Sequence, residues 1–173
     1  METWRAVSTY RAVRAFAGRP LDPEHLERIV RAGRRAPSSK NTQPWEFVVC
    51  QGREHLRELS RVGDYAGHIA GAAAAVALVT QETDDPDRRA WLSFDLGQVA
   101  QNMLLVAWDL GVGGVHAAVY DQSLARELLG YPADHRCDVM FSFGYPADDS
   151  VLSAPPRLGG RRPLEEIVHT ERW

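Results

Sequence analysis

Four short segments of this 173-residue chain carry side chains suited to gripping an anion and a flat ring. They are "YRAVRAF" (10–16), "APSSKNTQPW" (36–45), "GVGGVH" (111–116) and "RLGGRRP" (157–163). Arginines stand near both chain ends, and a guanidinium presents a planar fork of donors that matches a phosphate. Ser38, Ser39, Asn41 and Gln43 sit between Pro37 and Pro44, more polar side chains than a plain turn uses. Such hydroxyls and amides can hydrogen-bond a planar heterocycle. The glycines of 111–114 let backbone amides approach a ring edge closely. Each segment alone reads as a turn or a solvated charge. Together they suggest a bound cofactor.

Other chemistries find less support. There is no Walker loop, and "GVGGVH" follows a helix, whereas a dinucleotide fingerprint needs a strand before it and a helix after it. No G-x-S-x-G nucleophile elbow occurs. The six histidines lack zinc-type spacing, so no metal site is expected. Cys50 and Cys137 lie in the apolar runs "EFVVC" and "CDVMFSF" and read as buried, reduced thiols. No side chain is singled out as a catalytic acid, base or nucleophile.

The elements that must position these segments follow from composition and pattern. Hydrophobic content of 45 % and charged content of 25 % are ordinary for a globular chain, and the length favours one domain spanning residues 1–173. Twenty basic against 23 acidic residues give no case for nucleic acid or an anionic membrane as partner. "METWRAVSTYRAV" has no apolar signal-peptide core, and the longest apolar run, "IAGAAAAVALV" (69–79), is too short to span a bilayer. A cytoplasmic location is the resulting expectation.

Residues 3–10 are weakly helical. Asp22 and Pro23 are an N-cap and first-turn signal for a helix that Pro37 ends, with Leu26, Ile29 and Val30 on one stripe and Gly33 at i+7. That glycine marks either close packing or fraying. "WEFVVC" (45–50) reads as a strand, 54–63 as a helix closed by Gly63, and "AAVALVT" (74–80) as a strand buried on both faces. "ETDDPDRRA" (82–90) reads as a loop. Residues 92–110 form a long helix with Leu96, Val99, Met103, Val106 and Leu110 on one side, capped by Gly111. A strand enters through the glycines of 112–120, a helix runs from 121 to Gly130, and a strand from 137 stops at Gly144 and Pro146. The Pro/Gly/Arg-rich tail, about 150–173, carries little apolar material and reads as an arm lying across something else. The sum is an α+β domain with helices packed on a mixed sheet of four to five strands.

At this level the chain resembles the nitroreductase family of flavin-dependent oxidoreductases. The pieces "RAVRAF", "AGRRAPSSKNTQPWEFVV", "DLGQVAQNMLLVAWDLGVGG", "FSFGYP" and "RRPLEEIV" stand in the family's order over nearly the whole chain. The resemblance implies FMN as cofactor, NADH or NADPH as electron donor, and an intertwined homodimer with two flavins at its interface. It implies that Pro37, Ser38, Ser39 and Asn41 lie along the flavin bound by the partner subunit. Gln43, Pro44 and Trp45 would fix the turn and launch the strand. Arg11 and Arg14, with Ala12 and Val13 beside them, would reach the phosphate and the pyrimidine edge. Val115, His116 and Ala117 would lie near the ring face or its N5 edge, and Arg161 and Arg162 would close over the phosphate. The arm would cross to the partner.

By the same resemblance, a hydride would enter the flavin from NAD(P)H and leave, in a ping-pong cycle, to a nitroaromatic, quinone or similar small-molecule acceptor. Two departures bear on this. Tyr10-Arg11-Ala12 stands where many members have Arg-Arg-Ser. Two lost contacts, at roughly 1.5–3 kcal/mol each for a charged hydrogen bond, would weaken FMN on the order of a hundredfold or more unless Arg157, Arg161 or Arg162 compensates. Ala118 replaces an acidic residue of some members, and His68 a common lysine. Rival readings are a non-catalytic flavin-binding protein and a specialised flavin dehydrogenase or dehalogenase of the same family.

Overall fold

The apolar run 74–80 becomes the strand that separates two cores. The computed structural model describes residues 2–155 and 159–173. Among these, β1 (Trp45–Cys50), β2 (Ala74–Gln81), β3 (Gly113–Ala118) and β4 (His135–Gly144) form a sheet in the order β1-β2-β4-β3. Ala74, Val76 and Leu78 of β2 face one core, whereas Ala75, Ala77 and Val79 face the other. With both faces covered, the strand has no polar side to show, and its sequence does not alternate.

Among the described residues the two outer layers come from α1 (Thr3–Thr9), α2 (Pro23–Arg34), α3 (Arg53–Leu59), α4 (Pro86–Asp109) and α5 (Gln122–Leu129), and a further short helix spans Ser150–Ser153. On one face Leu26 and Ile29 of α2 meet Val99, Met103 and Ala107 of α4 over Phe141 and Phe143 of β4. On the other, Leu56 and Leu59 of α3 and Ala125 of α5 pack with Met140 and Cys137 of β4. This is the expected α+β layering. The three strand pairs are antiparallel, and the parallel component is confined to an isolated bridge from Ala12, which belongs to no strand, to Gly114 of β3.

Several local signals act as expected. Asp22 caps α2 by accepting from the Glu24 N–H at 2.9 Å, with Pro23 in the first turn. Gly111 and Gly130 take the left-handed conformation at φ +72° after α4 and α5. Gly33 serves close packing: a Cβ there would lie 2.9 Å from Met103 Cγ and Sδ and 3.0 Å from Phe47 Cε1.

Three expectations are corrected. The stretch read as a loop at 82–90 contains the start of α4, because the Asp85 carboxylate accepts from the N–H groups of Asp87 and Arg88 and Pro86 follows it, the same signal as Asp22–Pro23. Helix α3 ends at Leu59, and Gly63 is no cap; a Cβ there would stand 2.4 Å from the carbonyl oxygen of Ala118, so glycine is needed for close approach to β3. Strand β4 begins at His135, two residues early, where β2 extends to pair with it at Gln81. Among the described residues no helix is long and apolar enough to cross a membrane.

Candidate functional site

The segment 12–17 is sewn to the β3–β4 side of the sheet. Val13 N–H donates to Gly114 O at 3.3 Å, Ala17 N–H to Tyr145 O at 2.9 Å, and Ala147 N–H to Ala15 O at 3.0 Å. Val13 is buried, and Gly113 makes room for it: a Cβ at 113 would lie 2.6 Å from Val13 Cβ. Phe16 likewise fills the space that the missing side chain of Gly144 leaves open, 2.8 Å from where a Cβ would stand. With its neighbours fixed, the exposed Arg14 projects into a groove of about 670 Å³ beside β3. His68, His116, Ala117 and Ala118 also line this groove, with Asp64, Tyr65 and Tyr120.

His68 sits on a single 3₁₀ turn, Gly67–Gly71, with Nδ1 2.8 Å from the Oγ of Ser142. Burial lowers its pKa below the ordinary histidine value; the Arg14 guanidinium and the His116 ring add to this, while a hydrogen bond to the His116 backbone opposes it. Arg14 forms no ion pair or hydrogen bond with another described residue. An anionic occupant of the groove can therefore take up the Arg14 guanidinium without displacing a described partner, although Asp64 also lines the groove.

The other predicted residues divide. Val115 and Ala117 are buried on β3, with only Ala117 at the groove, whereas His116 is exposed. Ala12 contributes its backbone bridge to Gly114. Arg11 turns elsewhere: its guanidinium donates to the carbonyls of Ala154 and Pro155, at the root of the C-terminal arm. Tyr10 does not imitate the arginine it replaces. Its hydroxyl donates to Gly114 O at 3.2 Å, its ring stands edge-on to Trp108 at 5.9 Å, and burial raises its pKa to about 12. Arg161 and Arg162 are exposed on the arm, Arg162 paired with Glu166 at 3.3 Å. Arg157 lies outside the described residues.

The polar junction is a built structure. Ser38 Oγ accepts from Gln43 N–H at 2.9 Å, and Ser38 O accepts from Asn41 N–H at 2.9 Å. Lys40, Asn41 and Gln43 all have positive φ, at 53°, 55° and 47°. Non-glycine residues in that region cost of order 1–3 kcal/mol each and persist where the surroundings hold them. The holder is α4. The Asp95 carboxylate, 3 % exposed, accepts from Ser39 N–H at 3.1 Å, and the Gln98 amide reaches Pro37 O at 3.5 Å. Pro37, Ser39 and Asn41 are exposed, and Ser39 opens onto a second groove of about 460 Å³ with Lys40, Arg88 and Trp91.

The two halves of the predicted site do not meet within one chain. The junction leads into β1 at one edge of the sheet, and His116 stands on β3 at the other. Three strand spacings separate them, about 14 Å. In register His116 lies level with Val49 through Phe141 and Val76, and Trp45 is four residues farther along β1, about 13 Å. The separation of roughly 20 Å exceeds the width of a tricyclic ring.

Asp95 and Ser142 were not anticipated as parts of the site. Asp95 had a signal, since it lies four residues before Val99 and eight before Met103, on the apolar side of its helix. Ser142 had none beyond a hydroxyl inside an apolar strand. Among the described residues, no three His, Cys, Asp or Glu are grouped to hold a metal ion.

The chain as a whole is similar to known proteins. A protein of Archaeoglobus fulgidus with the provisional name NADH dehydrogenase/NAD(P)H nitroreductase is 30 % identical over 178 residues, covering 99 % of both chains. An NADPH-flavin oxidoreductase of Vibrio harveyi is 28 % identical over 184 residues, covering 99 % of this chain and 74 % of its own. A crystal structure from Clostridium acetobutylicum, provisionally named an NADH oxidase, superposes with a TM-score of 0.83 at 26 % identity, over 97 % of this chain and 99 % of the other. The model of the nitroreductase family matches residues 7–66 and 61–145, and with the full-length similarity at 30 % identity this shows that the chain belongs to the nitroreductase family.

Proposed function

We propose that this chain binds FMN at the β3 groove and is a flavin-dependent NAD(P)H oxidoreductase. The observation that carries the reading is the convergence of Arg14, His68 and His116 on one open groove, with Arg14 free of any described acid. These residues fit the group. The small side chains of Ala117 and Ala118 leave room for a flat ring against β3, and the Arg14 guanidinium suits a phosphate or an electron-rich pyrimidine edge. The names of the Archaeoglobus and Vibrio relatives support both the donor and the flavin.

The site is completed by a second copy of the chain. The exposed junction residues Pro37, Ser39 and Asn41, with the half-buried Ser38, lead into the sheet edge opposite His116 in their own subunit, and in a homodimer they face the partner's groove. The arm supports this arrangement. Leu164, Ile167, Val168 and Trp173 are exposed, at 68, 49, 55 and 102 %, which is an apolar surface in want of a partner. Arg161 and Arg162 travel with it toward the phosphate of the neighbouring site. The chain folds as a single domain, with the arm as its exchanged part.

FMN, when bound, supplies the transfer of a hydride between NAD(P)H and an acceptor. The chain orients and shields. Arg14 holds negative charge at the groove rim, Val13 and Val115 support the wall from behind, and the strained junction keeps its donors in place without reorganisation. The acceptors are nitroaromatics, quinones or similar flat molecules, turned over in a ping-pong cycle. The commitment of Arg11 to Ala154 and Pro155 favours weaker phosphate binding than the family pattern gives, and so keeps a non-catalytic flavin carrier as the second reading.

The absorption spectrum of the pure protein tests this. A flavin band, bleached without oxygen by NADH or NADPH and restored by a quinone, is expected. A flavin band that neither nicotinamide bleaches selects the carrier, and no flavin band after incubation with FMN overturns the reading.

A further inference from the structure

Ser142 lies inside β4 between Phe141 and Phe143, fully buried. A buried hydroxyl needs a partner, and its contact with Val115 O is marginal at 3.5 Å. Its strong contact is His68 Nδ1 at 2.8 Å. The pair therefore fixes an imidazole, half-buried, at the wall of the proposed flavin groove.

The groups that face His68 come from every neighbouring element. Arg14 reaches it from the 10–16 segment, His116 from β3 and Ser142 from β4; Asp64 and Tyr65 precede its turn, and Tyr120 follows β3. With Arg14 paired to none of the described residues, a second positive charge on His68 is unfavourable. An anion between them reverses that balance. The charge of His68 then follows the charge of the occupant, while Arg14 stays constant.

We infer that His68, held by Ser142, takes up a proton when negative charge develops in this groove. This rests on the reading of the groove as the flavin site. The donor NAD(P)H gives up a hydride, two electrons and one proton, and leaves as NAD(P)⁺; the flavin gains one negative charge. His68 binds one proton from solvent and neutralises it, and nothing else is oxidised or reduced. Ser142 touches no reacting atom and is a positioning residue.

The test is the midpoint potential of the FMN-loaded protein as a function of pH. A two-electron couple changes by about 30 mV for each tenfold change in proton activity per proton taken up. The wild type should show about twice that slope across the pH window in which His68 gains its proton, since two protons are then taken up. His68→Gln should keep the single-proton slope throughout. Ser142→Ala should move the window without abolishing it, and Ser142→Thr should restore it. An NMR titration of His68 in wild-type protein, oxidised and then reduced with dithionite, needs no variant; its pKa should rise on reduction. Equal slopes in wild type and His68→Gln, or an unmoved His68 titration, overturn the inference. A protein that takes up no FMN overturns the underlying reading instead, and is recognised by its missing flavin band.

Discussion

The backbone N–H of Ser39 donates to the buried carboxylate of Asp95, 3.1 Å away and 56 positions later in the chain. This bond ties the strained polar junction to the long helix α4. It converts three residues with positive φ from a flexible loop into a rigid surface.

Asp95→Ala should therefore cost both stability and cofactor affinity. Ser39 N–H and the Gln98 amide lose a charged partner, worth roughly 1.5–3 kcal/mol. For a chain of this length that lowers Tm by roughly 3–12 °C. FMN affinity, measured by fluorescence quenching at a temperature where the variant is folded, should fall as well. Asp95→Asn, which keeps an acceptor oxygen, should show the smaller loss in both. An Asp95→Ala protein that melts like the wild type contradicts this role.

The two arginines of the 10–16 segment should separate cleanly. Arg14→Ala removes a cation that no described residue uses, so it should weaken FMN by roughly 10- to 100-fold with little change in Tm. Arg11→Ala releases the carbonyls of Ala154 and Pro155. It should expose the arm to limited proteolysis beyond residue 153 and leave FMN affinity less affected than Arg14→Ala does. Titration of both variants with FMN, next to a protease time course, decides the assignment.

Gly63 and Gly67 are four residues apart and differ in kind. A Cβ at 63 would stand 2.4 Å from the Ala118 carbonyl, a backbone atom that cannot step aside, whereas a Cβ at 67 meets nothing within 4 Å. Gly63→Ala should destabilise by about 1–3 kcal/mol and disturb the β3 wall of the groove. Gly67→Ala should be within about 0.5 kcal/mol of wild type. Urea unfolding of the two variants is the check.

Alkaline pH should loosen the fold in a defined window. Burial pushes the Cys137 thiol from its ordinary 9.0 up to about 12, and the Tyr10 hydroxyl from 10.0 up to about 12. In both cases the folded chain keeps a proton that the unfolded chain has lost. Their contribution is whole below the unfolded values and declines as pH rises from 9.0 toward about 12. For Cys137 the slope approaches about 1.4 kcal/mol per pH unit. Denaturant midpoints measured at rising pH should fall more steeply in wild type than in Cys137→Ala. Parallel curves contradict the assignment.

Much of this architecture is legible in the residues themselves. Asp22–Pro23, Gly111 and Gly130 act locally, and local signals can be read without knowing the fold. The start of α4 at Asp85–Pro86 carried the same signal, but four acidic residues around it resemble a loop. Gly63 looked like a helix cap because the strand that requires it lies 55 positions away. The fate of Arg11 was hidden for a similar reason. Whether a guanidinium faces a groove or a backbone carbonyl depends on where the arm leaves the domain, which no spacing encodes. The placement of the candidate site residues at opposite sheet edges follows from strand order, and strand order is a property of the whole chain.

If one flavin site is built from two chains, a mixed dimer of two differently damaged chains should regain a working site. Arg14→Glu spoils the groove half, and Asn41→Trp spoils the junction half; each protein alone should bind almost no FMN. Unfolded together in equal amounts and refolded, they should recover roughly a quarter of the wild-type flavin, because half of the dimers are mixed and each mixed dimer has one intact site. No recovery above the separate variants, or a wild-type monomer that binds one FMN, would contradict a site shared between two chains.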